Sequence, residues 1–372
     1  MRIAINCRSI LKSQRTGIGR YTYSLIQFLA RIDEVNQYDL YAARGIFDAK
    51  RQDPITPNSR FKVRRDFFNL GARRMLRGAQ VYHLPSPDFV DGPAQAKVIV
   101  TVHDLIHRAF ARGHTPQTIE LTEKKMQDVI RRADILVCVS QATRDDLIRF
   151  YDVPAEKCRV IYQGVDHEIF FPIDEKNRGQ SNELLGVMGI TGPFVLFVGT
   201  LEPRKNLSGL IKAFAKVVKD GYDGFLVVAG MKGWMTNDLE DQLKTFGLNN
   251  KVILTGFVTD EQLRLLYATA DTFVFPSFYE GFGFPIVEAL ACGALVISSQ
   301  SSSCGEIAKD AALLVNPQDE DDLAKKLSDV LRNPRRYDFL RSKAVARARE
   351  FSFEATARQT LALYNQVAGR VG

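Results

Sequence analysis

Apolar, β-branched runs alternate with amphipathic stretches along most of the 372-residue chain, and this alternation most constrains the fold. Most runs are continuously apolar, as strands covered on both faces are. Strands that alternate with helical stretches favour a parallel sheet with helices on both sides, so we predict an α/β fold. The predicted strands are 3–6, 98–102, 135–139, 159–162, 194–198, 225–229, 252–254, 272–275 and 295–298, and the predicted helices are 19–32, 117–132, 207–219, 261–270, 321–332 and 353–372.

The alternation pauses between residues 166 and 192, where the polar stretch 172–181 lacks periodicity and is typical of a linker. A chain of this length accommodates two domains of ordinary size. We therefore predict two Rossmann-like parallel-sheet domains, comprising residues 1–170 and 171–352. The segment 353–372 has helical periodicity and follows the second domain.

The composition is that of an ordinary globular protein, with 45% hydrophobic and 25% charged residues. No apolar run reaches the roughly eighteen residues that a transmembrane helix needs. The N-terminal run predicts a strand and not a signal peptide, so we expect a cytoplasmic protein. The five cysteines are scattered and form no C-x-x-C pair, which favours reduced thiols and argues against structural zinc.

Positive charge is concentrated in the N-terminal half. Lys and Arg outnumber Asp and Glu by 27 to 19 over residues 1–170, whereas the counts are 23 and 24 over the remainder. A solvated helix–loop face is one interpretation, and a surface for anionic lipid headgroups or a phosphate-bearing acceptor is another. No nucleic-acid reading motif accompanies the charge, so we expect no nucleic-acid partner. Of the two interpretations that stay open, the second would bring peripheral contact with an anionic membrane. The excess is densest in the basic segment 60–77, with Arg60, Lys62, Arg64, Arg65, Arg73, Arg74 and Arg77 against Asp66.

Two acids, Glu280 and Glu288, bracket a glycine-rich stretch that follows the predicted strand 272–275. Glu280 falls on the loop at the carboxyl end of the strand, where parallel sheets bind ligands. Glu288 is predicted in the first turn of the next helix, because Pro285 suits the N1 position. A carboxylate accepts from two donors at once and suits a vicinal diol of a sugar, and the amides of residues 281–284 favour sugar or phosphate oxygens. Helix-start charge explains either acid alone but not both.

Arg204 and Lys205 follow the predicted strand 194–198, in the sequence Gly199-Thr-Leu-Glu-Pro-Arg-Lys-Asn206. Adjacent cations at a strand end and before a helix are suited to a diphosphate, since Arg supplies a planar fork and Lys a compact charge. The alternative is ordinary surface charge.

His103 ends the predicted strand 98–102, where it could donate to a hydroxyl or act in proton transfer. A buried structural histidine is the alternative. Gly17 and Gly19 precede a predicted helix, whose N-terminus favours anions and whose glycines allow close approach. They lack the third glycine of a dinucleotide fingerprint, and a tight turn is an equal interpretation.

Taken together, the Glu280-x7-Glu288 region and Gly199–Asn206 resemble the retaining glycosyltransferases of family 4, which have the GT-B fold of two Rossmann-like domains facing a cleft. The resemblance extends over nearly the whole chain, because weaker motifs occur in the family's order. These are Thr16-Gly-Ile-Gly19, His103-Asp104, Val139-Ser-Gln-Ala-Thr143, Gln163-Gly-Val-Asp166 and Cys304–Pro317.

The resemblance implies a role for each of these residues. Arg204 and Lys205 would hold the donor diphosphate, Glu288 the nucleotide ribose, and Glu280 the hydroxyls of the transferred sugar. Many relatives carry arginine where this chain has Thr200, and Arg204 would supply that charge instead. His103 would reach the sugar from the other domain, and the helix 353–372 would cross back to the first domain. The remaining donor-binding or space-providing residues would be Phe282, Gly283, Phe284, Gly199, Gly17 and Gly19.

By the same resemblance, the reaction is transfer of a hexose from a nucleotide diphosphate donor with retention at the anomeric carbon. The likeness is greatest to bacterial mannosyltransferases of surface polysaccharide assembly. It implies GDP-mannose as donor, a saccharide or lipid-diphosphate-linked saccharide as acceptor, and no metal or cofactor. Asp319-Glu320-Asp321 matches the D-x-D metal motif of another fold, but we interpret it as a helix cap. The alternatives are a UDP- or dTDP-sugar donor, a GT-B nucleotide-sugar epimerase or hydrolase, and a non-enzymatic sugar-binding protein.

Overall fold

The computed structural model describes residues 1–11, 17–43, 54, 56–112, 115–174, 178–231 and 236–369. The strands within them are β1 (Arg2–Asn6), β2 (Gln37–Ala43), β3 (Phe61–Asp66), β4 (Val81–Leu84), β5 (Lys97–Val102), β6 (Ile135–Cys138), β7 (Cys158–Val160), β8 (Phe194–Val198), β9 (Phe225–Ala229), β10 (Val252–Gly256), β11 (Thr272–Phe275), β12 (Val296–Ser299) and β13 (Leu313–Val315). The α-helices are α1 (Gly17–Ile32), α2 (Ala72–Met75), α3 (Ile106–Ala109), α4 (Pro116–Arg132), α5 (Gln141–Tyr151), α6 (Arg178–Val187), α7 (Leu207–Lys219), α8 (Thr236–Thr245), α9 (Asp260–Thr269), α10 (Phe284–Ala291), α11 (Ser302–Ala308), α12 (Glu320–Arg332), α13 (Asp338–Ala348) and α14 (Phe353–Val367).

The described residues fall into two compact units. The first unit contains those of Met1–Arg108, His114–Gly164 and Phe353–Gly372, and the second contains those of Ala109–Gly113 and Val165–Ser352. The boundary between the two units therefore follows Gly164, whereas the sequence predicted it after residue 170.

The first unit is built on a seven-stranded sheet in the order β3-β2-β1-β4-β5-β6-β7. All of its strand pairs are parallel. The order reverses between β1 and β4, and such a switch point opens a crevice at the carboxyl ends of the strands. Val100, Leu136 and Met126 belong to the buried cluster that packs one side of this sheet.

The second unit repeats the architecture with six parallel strands in the order β10-β9-β8-β11-β12-β13. Its switch point lies between β8 and β11. Every residue of β8 and β11 is buried, as the continuous apolar runs predicted. Phe197 and Phe214 are fully buried in the cluster between this sheet and α7, and burying a side chain of this size contributes roughly 1.5–3 kcal/mol. The predicted α/β fold with two parallel sheets is confirmed.

Helix starts follow local chemistry. The Thr259 side chain accepts from the Gln262 amide while the Gln262 side chain accepts from the Thr259 amide, which completes a capping box at α9. Asp319 caps α12 by accepting from the amides of Asp321 and Asp322 at 3.1 and 2.9 Å. The interpretation of Asp319-Glu320-Asp321 as a cap is therefore confirmed.

The C-terminal helix α14 belongs to the first unit, where it packs on α1. Phe353 stacks on Phe28 with ring centroids 6.0 Å apart, and the Thr356 hydroxyl donates to the Tyr162 carbonyl at 2.8 Å. The Tyr364 hydroxyl lies 2.6 Å from Nδ1 of the buried His83 on β4. The chain thus leaves the second unit and completes the first.

The structure differs from the predicted elements in three respects. The sequence did not predict helices α2, α3, α5, α8, α11 and α13. Strands β2, β3, β4 and β13 were not predicted, and the predicted linker contains α6. β2 was not predicted because the buried Asp39 interrupts its apolar run. Asp39 is ion-paired with Arg2 on β1 and, at 2.7 Å, with Arg64 on β3. A buried carboxylate with two cationic partners on neighbouring strands has no signature in a single segment.

Candidate active site

The first part of the candidate site is the loop that follows β8. Gly199 ends the strand with φ of 149°, a conformation that favours glycine, and the Lys205 side chain packs over it. Pro203–Lys205 forms one turn of 3₁₀ helix that ends at Asn206 in the left-handed conformation. The Asn206 amide donates to the carbonyls of Pro276 and Pro317 at 3.2 and 2.9 Å, which ties this loop to the segments that follow β11 and β13.

Glu280 lies between the two cations of that loop. Its Oε1 is 2.6 Å from Lys205 Nζ, and its Oε2 is 2.6 Å from an Arg204 guanidinium nitrogen. Glu280 and Lys205 are each only 7% exposed. Lys205 Nζ also lies 4.6 Å from the centroid of the Phe275 ring, a distance at which a cation is attracted to the aromatic face. The three charges occupy the switch point of the second sheet, because Arg204 and Lys205 follow β8 and Glu280 follows β11.

The electrostatics of this triad keep Glu280 ionised. Burial by itself raises the pKa of a carboxyl group, but the charges and hydrogen bonds of Lys205 and Arg204 outweigh it and lower the pKa of Glu280 to about 2. Burial lowers the pKa of Lys205, and the neighbouring Glu280 charge opposes that effect. Arg204 also pairs with Glu202 at 2.9 Å, so two cations meet two carboxylates, and a further anion would bind by sharing the cations with these carboxylates.

Two serines that sequence analysis missed fix the backbone of Glu280. The Glu280 amide donates to the Ser302 hydroxyl, and the Ser303 hydroxyl donates to the Glu280 carbonyl, both at 2.9 Å. Both serines begin α11 at the carboxyl end of β12. The position of Gln300-Ser-Ser-Ser-Cys304 just after a predicted strand was the available signal.

Glu288 is the fifth residue of α10 and therefore lies in its second turn, not in the predicted first turn. The helix begins at Phe284, with Gly283 in the left-handed conformation before it and Pro285 as its second residue. Glu288 is 4% exposed and accepts a hydrogen bond from the Tyr267 hydroxyl at 3.2 Å. Tyr267 lies on α9 and was not predicted as a site residue.

Phe282 and Phe284 contact each other edge to face with ring centroids 5.4 Å apart. Phe282 is buried and also packs edge to face on Phe351 at 5.8 Å. These contacts hold the glycine-rich segment against the body of the second unit. The predicted contribution of its backbone amides to ligand binding stays a prediction.

In the first unit, both ring nitrogens of His103 are hydrogen-bonded. Nε2 donates to the Pro85 carbonyl at 2.7 Å, so Nδ1 must accept from the Gln163 amide at 2.8 Å. Burial lowers the pKa of His103, against the opposing effects of the Pro85 carbonyl and Asp104, and this favours the same neutral tautomer. A sugar hydroxyl would reach either nitrogen only by replacing one of these partners.

Gly17 and Gly19 both lie in the first turn of α1, which begins two residues before the predicted start. Gly17 is exposed and Gly19 is buried. Thr16, from the same motif, lies outside the described residues. Tyr21, one turn further along α1, packs edge to face on His103 with ring centroids 5.1 Å apart.

The basic segment 60–77 forms β3, a loop and α2, and part of its charge is committed to the fold. Arg64 pairs with Asp39, and Arg60 donates to the Ala30 carbonyl at 3.4 Å. Next to the remaining cations, Phe67 and Phe68 are 41% and 73% exposed. The exposed cations are Lys62, Arg65, Arg73, Arg74 and Arg77.

Comparison with known proteins identifies the class. A family model described as Glycosyltransferase Family 4 matches residues 15–169, and one described as Glycosyl transferases group 1 matches residues 189–351. Together they match most of the chain, which therefore belongs to the family 4 glycosyltransferases of GT-B fold. The resemblance noted from the sequence motifs is confirmed.

Individual relatives are mannosyltransferases. O-antigen chain mannosyltransferase B of Escherichia coli is 28% identical over 95% of this chain and 97% of its own length. Serotype-specific mannosyltransferase WbdA of Escherichia coli is 29% identical over 70% of this chain, but the match spans only 32% of WbdA. Among solved structures, sucrose-phosphate synthase from Thermosynechococcus elongatus aligns with a TM-score of 0.77 and 21% identity over 99% of both chains, a likeness of fold.

Among the described residues, no helix is long and apolar enough to cross a membrane.

Proposed function

We propose that this glycosyltransferase moves mannose from GDP-mannose to a hydroxyl of a saccharide acceptor, with retention of anomeric configuration and without a metal ion. The observation that carries the proposal is the buried contact of Glu280 with Arg204 and Lys205 at the switch point of the second sheet. The similarity to O-antigen mannosyltransferases over nearly the whole chain supports mannose.

In the proposed reaction, the bond from the anomeric carbon to the donor phosphate oxygen breaks. The acceptor hydroxyl oxygen bonds to the same face of that carbon, and its proton passes to the departing phosphate oxygen. Negative charge accumulates on the leaving diphosphate. Arg204 and Lys205 stabilise that charge, and such preorganised electrostatic stabilisation is usually the largest single contribution to catalysis. No protein nucleophile takes part.

Glu280 has two states in this proposal. In the structure its carboxylate pairs with both cations, and Arg204 pairs with Glu202 as well. When the donor diphosphate binds, its oxygens share Arg204 and Lys205, and the carboxylate becomes available to accept hydroxyls of the mannose. The backbone amides of Phe282 and Gly283 donate to the same sugar.

Glu288 binds the ribose of the donor nucleotide, with its carboxylate oriented by the Tyr267 hydroxyl. The family resemblance assigns His103 to the transferred sugar, and its Nε2 would bind a sugar hydroxyl in exchange for the Pro85 carbonyl. Gln163 is then a positioning residue, because its amide holds Nδ1 and thereby the ring orientation.

The acceptor in this proposal is attached to a lipid diphosphate, and the enzyme works at the inner face of the membrane. The exposed cations of the basic segment 60–77 attract anionic headgroups, and each contributes about 1 kcal/mol near a charged surface. The exposed rings of Phe67 and Phe68 add apolar contact with the headgroup region.

A nucleotide screen tests the donor. Thermal unfolding is followed with GDP, UDP or dTDP, each with magnesium or with a chelator, and turnover is measured with the matching sugar nucleotides. We expect GDP to raise the melting temperature most, GDP-mannose to be consumed, and chelator to have no effect. NMR of the product reports whether the anomeric configuration is retained.

Other outcomes of the screen separate the alternatives. Preference for UDP or dTDP would replace the donor, and loss of turnover in chelator would contradict metal independence. Conversion of the nucleotide sugar without an acceptor would indicate a hydrolase or an epimerase. Binding of free sugars without stabilisation by any nucleotide would indicate a sugar-binding protein.

A further inference from the structure

A cavity of about 610 Å³ opens in the first unit, at the carboxyl ends of β1 to β4. It spans the switch point of the first sheet, because Asn6 ends β1, Arg8 follows β1, and Asp88 and Phe89 follow β4. Its volume is that of a small-molecule site. None of the residues assigned above to the donor or to the reaction lines it.

The lining is acidic, although the unit as a whole is basic. Asp66, Asp88 and Asp91 face the cavity, and Arg8 is the only cation among the described residues that line it. Asp88 is paired with Arg8 at 2.6 Å and with Lys125 at 2.9 Å. Burial by itself raises the pKa of Asp88, but these two cations outweigh it, so the net effect is a lowered pKa. Asp88 is thus balanced by two cations, and the negative charge that an anionic ligand would meet is that of Asp66 and Asp91.

Asp66 is fully occupied in holding the cavity wall. Its carboxylate accepts from the backbone amides of Leu70 and Gly71 and from the Tyr41 hydroxyl, all at 2.8 Å. It fixes the loop between β3 and α2 and has no free role toward a ligand.

Asp91 is different, since no hydrogen bond to its carboxylate is found within the described part of the chain. The carboxylate lies against the backbone of Gly71, where a Cβ would be 2.2 Å from Asp91 Oδ2 and where φ is +86°. Gly71 thus leaves the space that Asp91 occupies. Asp91 is an exposed residue, so its carboxylate is a solvated hydrogen-bond acceptor at the rim of the cavity.

Tyr82 supplies the matching donor. Its hydroxyl accepts from the Asn6 amide at 3.0 Å, and its own proton has no acceptor among the residues that the structure describes. Burial and the Asp91 charge raise the pKa of Tyr82, so the phenol stays protonated. Phe89, 51% exposed, provides an aromatic face at the rim.

We propose that this cavity binds the terminal sugar of the acceptor and that this sugar is an uncharged pyranose. Asp91 accepts two of its hydroxyl protons, Tyr82 donates to a third oxygen, and Phe89 covers the apolar C–H face of the ring. The acidic lining disfavours a uronic acid or a phosphate in the cavity. A phosphate of the acceptor would instead bind the exposed cations of the basic segment 60–77. The assignment of the sugar as an acceptor rests on the proposed function, whereas its binding here does not.

The experiment measures binding to the full-length chain without turnover, by saturation-transfer NMR for the glycosides and by phosphorus NMR line broadening for inorganic phosphate. The probes are methyl α-mannopyranoside and other neutral methyl glycosides, a methyl glucuronide, and inorganic phosphate. The variants are Asp91→Asn, which removes the charge at constant shape, and Tyr82→Phe, which removes only the hydroxyl. Asp145→Asn is the matched control, because Asp145 is an exposed aspartate of the same unit on α5 and does not line the cavity.

We expect a neutral glycoside to bind the wild-type chain, and Asp91→Asn to weaken it about tenfold, the size of a lost charged hydrogen bond. Tyr82→Phe should weaken it severalfold and Asp145→Asn not at all. Binding of phosphate or glucuronide that depends on Asp91 would overturn the proposal. So would equal affinity in Asp91→Asn, or no neutral glycoside binding the wild type.

Stabilisation by GDP separates this inference from the proposed function. Asp91→Asn should leave GDP stabilisation unchanged, because Arg204, Lys205 and Glu288, which hold the diphosphate and the ribose in the proposal, lie in the second unit. If GDP fails to stabilise the wild type while glycoside binding depends on Asp91, the proposed function fails and the cavity assignment stands. If GDP stabilises the wild type while glycoside binding does not depend on Asp91, the proposed function stands and the cavity assignment fails.

Discussion

Glu280 and Lys205 are charges that the fold keeps out of water. Burying a single charge is costly, and a buried pair offsets that cost only when its hydrogen-bond geometry is good. Here one carboxylate meets two cations at 2.6 Å each, on loops fixed by Asn206, Ser302 and Ser303. A protein needing stability alone would place apolar side chains there, so the arrangement indicates a site for charge chemistry.

Replacing Lys205 tests the electrostatic role directly. We expect Lys205→Ala to reduce turnover by roughly 10²–10³, because it removes a preorganised charge from the leaving diphosphate. Lys212→Ala is the control, since Lys212 is a half-exposed lysine on α7 paired with Glu320. Circular dichroism establishes that both variants are folded. Near-normal turnover in Lys205→Ala would remove Lys205 from the mechanism.

The two glutamates should respond differently to amide substitution. Glu280→Gln leaves Lys205 without its counter-charge and Arg204 with that of Glu202 alone, so GDP should bind at least as tightly while transfer slows. Glu288→Gln should instead weaken GDP binding, because the ribose loses a charged acceptor, by about tenfold or more. Calorimetric titration with GDP and steady-state kinetics measure both effects. Weaker GDP binding in Glu280→Gln would contradict the assigned roles.

At the scale of elements, α14 is tied to the first unit by a buried hydrogen-bond chain. The Tyr21 hydroxyl contacts the Thr101 hydroxyl, Thr101 contacts Nε2 of His83, and Nδ1 of His83 contacts the Tyr364 hydroxyl. All four residues are buried. The chain joins α1, β5, β4 and α14, so the C-terminal helix is held by polar contacts as well as by packing.

This chain makes the attachment of α14 sensitive to acid. Burial and the neighbouring His103 lower the pKa of His83 to about 3, against about 6.5 in an unfolded chain. Below pH 6.5, His83 takes up a proton in the open state but stays neutral in the folded state. The free energy of opening should therefore fall by about 1.4 kcal/mol per pH unit between pH 6.5 and 4.

Amide hydrogen exchange of α14 from pH 8 to 4 measures this fall. In His83→Asn, the free energy of opening should fall by about 1.4 kcal/mol less per pH unit than in the wild type. Above pH 7 the wild type and the variant should show the same slope. Burial lowers the pKa of His103 as well, so part of the dependence should remain in His83→Asn. An unchanged slope in His83→Asn would show that this histidine does not control the attachment.

At the scale of the whole molecule, charge and chemistry are divided between the units. Residues 1–170 carry the excess of Lys and Arg, while the remainder is balanced. Each unit has a parallel sheet with a switch point, and polar side chains gather at both. At the second sheet these are the triad, and at the first they are the residues of the acidic cavity.

The basic surface predicts membrane binding that depends on salt. We expect co-sedimentation with vesicles containing anionic lipid, and its loss when Arg65, Arg73, Arg74 and Arg77 are all changed to Gln. Because surface attraction is screened, 0.5 M salt should have the same effect. Changing four cations of the second unit, Lys212, Lys216, Lys251 and Lys343, is the matched control. Equal sedimentation of both variants would contradict a membrane role for the segment.

Much of the fold followed from local pattern. Strands β8, β9 and β11 and helix α7 were predicted to the residue, because continuous apolar runs and helical spacing act within one segment. Strand ends then placed Arg204, Lys205 and Glu280 at one edge of a sheet. β3 was missed because a strand of sequence Phe-Lys-Val-Arg-Arg-Asp has no apolar period.

The sequence by itself determined the architecture, the family and the edge at which its charged residues gather, since these depend on short-range periodicity and ordered motifs. Only the tertiary structure decided that Glu280 meets Lys205 across 75 positions of sequence, and that His103 is held by Gln163 across 60. It also decided that Asp91 lies against Gly71 in a cavity. The reason is physical: contacts between distant segments depend on how strands are ordered in a sheet, and no window along the chain contains that order.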